Sequence, residues 1–422
     1  MIHTLRLSLA RRFPALSSRD FAIFWLGHLL SLIGTSMQNT AQPLLAYRLS
    51  GRPFDLGLIG FAITLPTFFL ALPSGVLIER WDKRRAVIIL QAIMMVETFC
   101  LAYLALTGLI QIWHILVLSL ILGVASTFEI TARQSMLIEI VGRETLPNAI
   151  ALQSTAFNIS RVLGPALTAP LLLAFPKNGE GWIFFLNGLS FATIIIGMFS
   201  VRLLYKAEPI RTSQSYTRDF TEGGRYIISN KSIGLIILIA AILAVFGFPI
   251  MQQFPVLAKD ILVQADDTKS IVDARNSAIY TSMGLGALVA ALMIALNNSQ
   301  TRRGARLLLG EAAFIAGLMG IGFVNQVWQA LIFIALIGWG GVTQLATMNT
   351  LIQTQIPNDL RGRVFSMYLW ALQGIAPVGS LLIGWMTQTW NLPITALACG
   401  MVCLLGIGGI QVFYPAVRKS PA

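Results

Sequence analysis

The 422-residue chain is 56% hydrophobic and only 11% charged, where a soluble globular domain carries about a quarter charged residues. That shortfall excludes a water-soluble core. The net charge of +12 does not indicate nucleic acid, because the basic residues sit in short turns between apolar runs rather than on one patch.

Residues 1–20 form a leader with Arg6, Arg11 and Arg12 and no long apolar core. The first apolar run, near 21–49, is too long for a secretory signal and no small-residue cleavage site follows it, so it reads as a retained first span. Crossing the hydrocarbon layer takes roughly 20 apolar residues. Runs of that size recur near 55–79, 86–109, 112–138, 146–175 and 181–204, then 233–261, 275–298, 304–325, 327–355, 361–388 and 392–415. The prediction is an all-α membrane protein with twelve transmembrane helices. A polar connector, 205–232, separates an N-terminal six-helix bundle (21–204) from a C-terminal one (233–415), and 416–422 is a tail. Of the 30 Lys and Arg residues, 23 lie in the leader, the turns after even-numbered spans and the tail; only Arg48, Arg52, Lys177, Lys259, Lys269 and Arg275 lie in the opposite turns. The positive-inside rule puts both termini in the cytoplasm.

The two halves echo one another. "QPLLA" at 42–46 recurs as "FPVLA" at 254–258, and "DKRRA" at 82–86 recurs as "TRRGA" at 301–305. A loose third pairing joins 144–165 to 358–377, and the common order and offset predict two pseudo-symmetric bundles.

Polar residues form stripes on apolar helices. Span 1 carries His28, Ser31, Thr35, Gln38 and Gln42; span 5 carries Ser154, Asn158, Arg161, Pro165 and Thr168; span 10 carries Thr343, Thr347, Thr350 and Thr354, with Gln344 beside them. Spacings of three and four lay each stripe on one face. Such a face meets either a wet cavity or another helix, where Ser and Thr hydrogen bond across. Span 7 instead offers Phe248 and Gln252 among Phe246, Met251 and Phe254, a surface suited to flat apolar cargo or to ordinary packing. Intramembrane charges are Glu97, the i, i+4 pair Glu129 and Arg133, and Arg161. Glu129 with Arg133 is either a structural ion pair or a proton-coupling group, with Glu97 the next coupling candidate. Arg161 has no opposite charge on its own span and is expected to meet Glu129, Glu97 or an anionic cargo group. Cys100, Cys399 and Cys403 lie in apolar runs with no metal spacing. No nucleotide loop or hydrolase signature is present, so neither an enzyme nor a cofactor is expected.

The stretch "GVLIERWDKRR", from Gly75 to Arg85, packs six charges into seven residues between spans 2 and 3. It resembles the loop signature G-x-L-x-D-R-x-x-R-R of the major facilitator superfamily, with Glu79 at the acidic position. "RVLGPALTAP" is similar to that superfamily's span-5 antiporter signature at Gly164 and Pro165. "IGTSMQNTAQPLLAYRLSG", the 129–167 segment and "GEGWIFFLNGLSF" are similar to the bacterial drug and siderophore efflux branch, which includes enterobactin exporters. The resemblance implies a monomeric alternating-access transporter of the bacterial cytoplasmic membrane. It implies a small-molecule substrate, drug or siderophore, and protons as the coupling ion. It implies that spans 1, 4, 7 and 10 line the cavity. It makes the turn containing Gly75, Glu79, Arg80, Asp82, Lys83 and Arg84 a latch: Glu79 at the N-terminus of span 11, Lys83 and Arg84 against acids such as Glu139 at the end of span 4.

Overall fold

The computed structural model describes residues 14–203, 205, 216–296, 303–357 and 360–415. Arg6, Arg11 and Arg12 of the leader, residues 206–215 of the connector and the tail at 416–422 lie outside the described residues. Every described element is helical. Eleven helical stretches are long and apolar enough to cross a membrane: Arg19–Ser50, Pro53–Ala71, Lys83–Leu106, Ile112–Ala174, Gly179–Ser200, Lys231–Ile261, Lys269–Leu296, Arg303–Phe323, Val327–Gln355, Arg363–Trp390 and Leu392–Phe413. The second of these continues as helix to Glu79.

Ile112–Ala174 is two spans in one. Its 63 residues would run roughly 95 Å at 1.5 Å per residue, about three hydrocarbon thicknesses. The ladder breaks at Gly142, with φ 73° and ψ 172°, a conformation that disfavours any Cβ. The ring of Tyr205 lies 3.0 Å from where that Cβ would sit, and the Tyr205 amide donates to the Glu139 carbonyl at 3.1 Å. The expected turn near 139–145 is therefore corrected to a single-residue break between spans 4 and 5. With that break the described spans number twelve, named here span 1 to span 12 in chain order.

The chain forms two compact units. One holds the chain up to Gln42 and from Phe69 to the connector; the other holds Pro43–Phe68 and everything after the connector. In lipid, helices gain little from hydrophobicity by meeting, so close backbone approach decides which pairs form. In the first unit a Cβ on Gly34 would lie 2.5 Å from Asn187 and Ser190 of span 6, and one on Gly164 2.5 Å from Ser36 of span 1. Phe21, Phe24, Ile78, Val87, Met136, Ile140 and Met198 belong to one buried apolar cluster of this unit. In the second unit Gly286 of span 8 faces the Ala335 carbonyl and Gly338 of span 10 faces the Met283 carbonyl. A Cβ at either glycine would be 2.0 Å from oxygen.

Span 7 departs from the α-helix. Lys231–Ile242 is α-helical, Leu243–Gly247 is a π turn, Phe248–Gln253 is 3₁₀ and Leu257–Ile261 is again π. Pro249 and Pro255 lack the amide hydrogen that would continue the ladder. Two further π turns, Trp370–Gly374 and Leu404–Gly408, also lie in the second unit. A helix on the connector, Tyr216–Ser229, is held to span 11 by the Glu222–Arg363 ion pair and to span 10 by the Tyr226 hydroxyl on the Gln355 carbonyl at 3.5 Å.

Candidate substrate and coupling sites

In the first unit, four spans meet around one polar network. Gln38 Nε2 donates to Gln42 Oε1 at 3.0 Å, and Gln42 Nε2 donates to Ser119 Oγ of span 4 at 2.8 Å. Asn187 Nδ2 of span 6 donates to Gln38 Oε1 at 2.6 Å. Thr98 Oγ1 of span 3 lies 2.9 Å from Glu97 Oε2 and 3.3 Å from Gln38 Oε1. Gln38, Gln42, Glu97, Thr98, Ser119 and Asn187 are all buried. The span-1 stripe thus turns its two glutamines into the bundle, and Thr35 on the same face is half-buried. Ser119 and Asn187 escaped the sequence reading because a lone Ser or Asn in an apolar run has no periodic signal.

Glu129 and Arg133 form the ion pair that their spacing suggested, Nε to Oε1 at 3.0 Å, and Gln91 Nε2 of span 3 donates to the same carboxylate oxygen at 3.0 Å. Of the three partners expected for Arg161, neither Glu129 nor Glu97 pairs with it among the described residues, and its guanidinium lies over the Phe157 ring, 5.8 Å from the centroid. The reason is that Arg133 already occupies Glu129 from its own helix. Asn158, one turn earlier, bonds back to the Ser154 carbonyl at 2.9 Å.

The charged turn is built from helix ends. Asp82 caps span 3 by accepting from the Arg85 amide at 2.8 Å. Lys83 Nζ meets Glu139 Oε1 at 2.6 Å, as expected. Among the described residues Arg84 meets no acid: its Nη2 donates at 2.8 Å to the Phe199 carbonyl, one of the carbonyls that the end of span 6 leaves without an intrahelical donor. Glu79 and Arg80 are exposed, and a Cβ on Gly75 would meet nothing within 4 Å. Gly164 and the buried Pro165 mark where span 5 packs closely on span 1.

In the second unit, the span-10 threonines bond along their own helix rather than across it. Thr347, Thr350 and Thr354 donate to carbonyls four residues back at 2.7, 2.9 and 2.9 Å. Thr343 and Gln344 are buried, and Thr343 Oγ1 and both polar atoms of the Gln344 side chain have no partner among the described residues. Phe248 packs edge-on against Phe314 of span 9, centroids 5.4 Å apart, and Gln252 is half-buried beside it on span 7.

The far end of span 1 and the first half of span 2 are stitched into this unit. The Tyr47 hydroxyl donates to Asp260, and Lys259 Nζ stands 5.0 Å over the Tyr47 ring. Arg48 Nη2 pairs with Asp273 Oδ1 of span 8 at 2.7 Å. The Phe54 amide donates to Gln388 Oε1 at 3.2 Å, and a Cβ on Gly57 would lie 2.4 Å from the Ser380 carbonyl and 3.0 Å from Gly384 Cα of span 11. Beside them Arg275 meets Asp267 Oδ2 at 2.6 Å and donates to the Leu262 carbonyl at 2.6 Å. The Gln264 amide and the Arg275 guanidinium hold the Asp267 carboxyl below the usual carboxylate range. That contribution is present at neutral pH and is lost only as acid takes the pH down through the lowered value. Asp273 went unrecognised in the sequence because it precedes the apolar run of span 8.

Residues 10–420 match the transmembrane secretion effector family of the major facilitator superfamily. The chain is 22% identical over 393 residues to the multidrug efflux pump Tap of Mycolicibacterium fortuitum, covering 92% of this chain and 93% of that protein. It is 24% identical over 407 residues to the enterobactin exporter EntS of Escherichia coli, covering 95% and 92%. A solved bacterial homolog of the human lysosomal transporter Spinster shares the fold, with TM-score 0.72 at 13% identity, 96% of this chain and 99% of that one being covered. The chain belongs to the transmembrane secretion effector family: it is a multi-pass membrane transporter of small molecules with the major facilitator fold, not an enzyme.

Proposed function

We propose that this protein is a proton-coupled exporter of amphiphilic small molecules, working as a monomer by alternating access in a bacterial cytoplasmic membrane with both termini in the cytoplasm. The observation that carries this reading is the near full-length similarity to two exporters, over 92% and 95% of the chain. In the first unit, Thr35, Gln38, Gln42, Asn158 and Arg161 are the cargo-facing candidates, and Glu129, Arg133 and Glu97 the coupling candidates. In the second unit the cargo candidates are Phe248, Gln252, Thr343, Gln344 and Thr347; the unpartnered amide of Gln344 is the donor and acceptor that a polar cargo group would satisfy. Proteoliposomes with an imposed pH gradient test the reading. Ethidium, a flat lipophilic cation, should accumulate against its gradient and leak back when a protonophore is added. Accumulation that survives the protonophore removes proton coupling.

Arg161 favours a second reading, in which the cargo is an anionic siderophore. It carries a positive charge at membrane depth with no ion pair among the described residues, which costs about 2.5–3.5 kcal/mol at a helix centre. Arg161→Ala should then slow export of enterobactin about tenfold or more while changing ethidium export little, the loss of one charge-assisted contact being worth about 1.5–3 kcal/mol. Equal loss for both cargoes assigns Arg161 to structure.

The gating group proposed is the turn with Gly75, Glu79, Arg80, Asp82, Lys83 and Arg84, together with Gly164 and Pro165. The turn stabilises the state closed to the cytoplasm. Glu79→Gln should raise the labelling of cysteines engineered near the cytoplasmic ends of the spans; unchanged labelling and transport would dismiss the latch.

A further inference from the structure

We propose that Glu97 is the group that binds and releases the transported proton, and that Thr98 and Gln38 register its protonation to the rest of the first unit; its transport role rests on the proton-coupled reading above. Glu97 is 2% exposed. Its Oε1 has no hydrogen-bond partner among the described residues, and its Oε2 lies 2.9 Å from Thr98 Oγ1.

Counting hydrogens assigns the state. The Thr98 hydroxyl has one hydrogen and two acceptors within reach, Glu97 Oε2 at 2.9 Å and Gln38 Oε1 at 3.3 Å. With Glu97 ionised, Thr98 serves one acceptor and forsakes the other. With a proton on Glu97, the carboxyl O–H donates to Thr98 Oγ1 and Thr98 donates onward to Gln38 Oε1. Every contact then has its hydrogen. Beyond Gln38 the chain already runs one way, through Gln42 to Ser119. Loss of the proton to water, when alternating access wets the site, breaks one O–H bond, leaves a carboxylate, and reverses the Thr98 hydroxyl away from Gln38. Gln38 then keeps only the Asn187 donor, at 2.6 Å. The signal thus reaches spans 1, 4 and 6 without a charge moving between them.

The surroundings agree. Facing Glu97 are Thr98 and, from span 1, Gln38, with Asn187 of span 6 behind it; none is charged. On its other side lies an apolar groove of about 460 Å³, lined by Ile93, Val96, Leu118 and Ile121 and by Cys100, in which Glu97 is the one charged residue among the described residues. Glu129 differs. Arg133 and Gln91 both donate to its Oε1, so two fixed donors, one of them charged, already face it.

Infrared difference spectra of the full-length protein in nanodiscs, between acid and alkaline pH, read protonated carboxyls without any cargo. The protonated C=O band should be present in the wild type, absent in Glu97→Gln, shifted in Thr98→Val and unaltered in Glu129→Gln. In proteoliposomes at zero membrane potential, the wild type should concentrate ethidium about tenfold per pH unit if one proton exchanges for one cargo. Glu97→Gln should hold a ratio near one while still exchanging ethidium downhill, and Glu97→Asp, which keeps the acid, should restore accumulation. A band that persists in Glu97→Gln and vanishes in Glu129→Gln overturns the assignment, as does wild-type accumulation by Glu97→Gln. If the band behaves as expected but the wild type ignores the pH gradient, Glu97 stands as a proton site and the proton-coupled reading falls.

Discussion

Asp273→Asn should open the seam at the far end of spans 1 and 2 by about 5–150-fold, as read by the labelling rate of a cysteine placed at Leu45. Removing one partner of a buried ion pair costs about 3–5 kcal/mol. The Arg48 side chain is 23% exposed and Asp273 only 4%, so water recovers part of that for Arg48, and about 1–3 kcal/mol is the better expectation. The pair ties span 1 to span 8 within the second unit, so its loss acts on whether residues 43–68 stay docked there. The exchanged double variant, Arg48→Asp with Asp273→Arg, should recover part of the seal, because the cycle isolates the pairwise attraction from each residue's other contacts. If Asp273→Asn labels no faster than wild type, the Tyr47–Asp260 bond and the Gly57–Gly384 contact hold the seam without it.

Gly338→Leu should destroy the second unit. The Cβ alone would stand 2.0 Å from the Met283 carbonyl oxygen and 2.9 Å from its carbon, and neither belongs to a side chain that can turn away. Spans 8 and 10 would have to part along their whole crossing, and the reciprocal contact of Gly286 with Ala335 would be lost with them. Overpacking costs about 1–3 kcal/mol where side chains can adjust, and backbone against backbone exceeds that. Thermal unfolding in detergent should show Gly338→Ala strongly destabilised and Gly338→Leu failing to accumulate as folded protein. Gly75→Ala is the comparison. With nothing within 4 Å of its Cβ, it should shift stability by no more than about 0.5–1 kcal/mol, and toward greater stability, since alanine is the better helix former. A Gly338→Ala protein as stable as wild type would mean that the crossing is looser than these distances.

The spans were legible in the sequence because the lipid acts as a solvent on each helix separately. Twenty apolar residues and a charged turn announce themselves without reference to any neighbour, and the twelve expected runs overlap the observed helices, the largest difference being at span 8, whose helix starts at Lys269 rather than near 275. The Lys83–Glu139 pair came from the resemblance of the charged turn to a family signature, with Glu139 one of the acids it suggested. What stayed hidden depends on which helix faces which. Arg161 was expected to meet Glu129, Glu97 or an anionic cargo group, and the sequence could not show that Arg133 takes Glu129 through a single helical turn. Gln38 and Gln42 read as one polar face, yet what that face touches, Thr98, Ser119 and Asn187, lies 60 to 149 residues away. Arg84 found a helix-end carbonyl that carries no sequence mark. The docking of Pro43–Phe68 in the second unit turns on Gly57 and Gly384, two glycines among 36.

An ordinary membrane helix cannot change length by one residue quietly. Deleting a residue ahead of Thr343 in span 10 would turn everything beyond it by about 100° and carry Thr343, Gln344 and Thr347 off their face. Span 7 is different, because each of its π turns, Leu243–Gly247 and Leu257–Ile261, closes its bonds over five residues where an α turn uses four. One residue there is surplus to the ladder. Removing it lets the turn relax into α-helix while the downstream face keeps its bearing. Span 7 can therefore shed or regain single residues in the course of descent: each loss would straighten the segment that presents Phe248 and Gln252, and each gain would bend it again, without re-aiming the rest of the bundle.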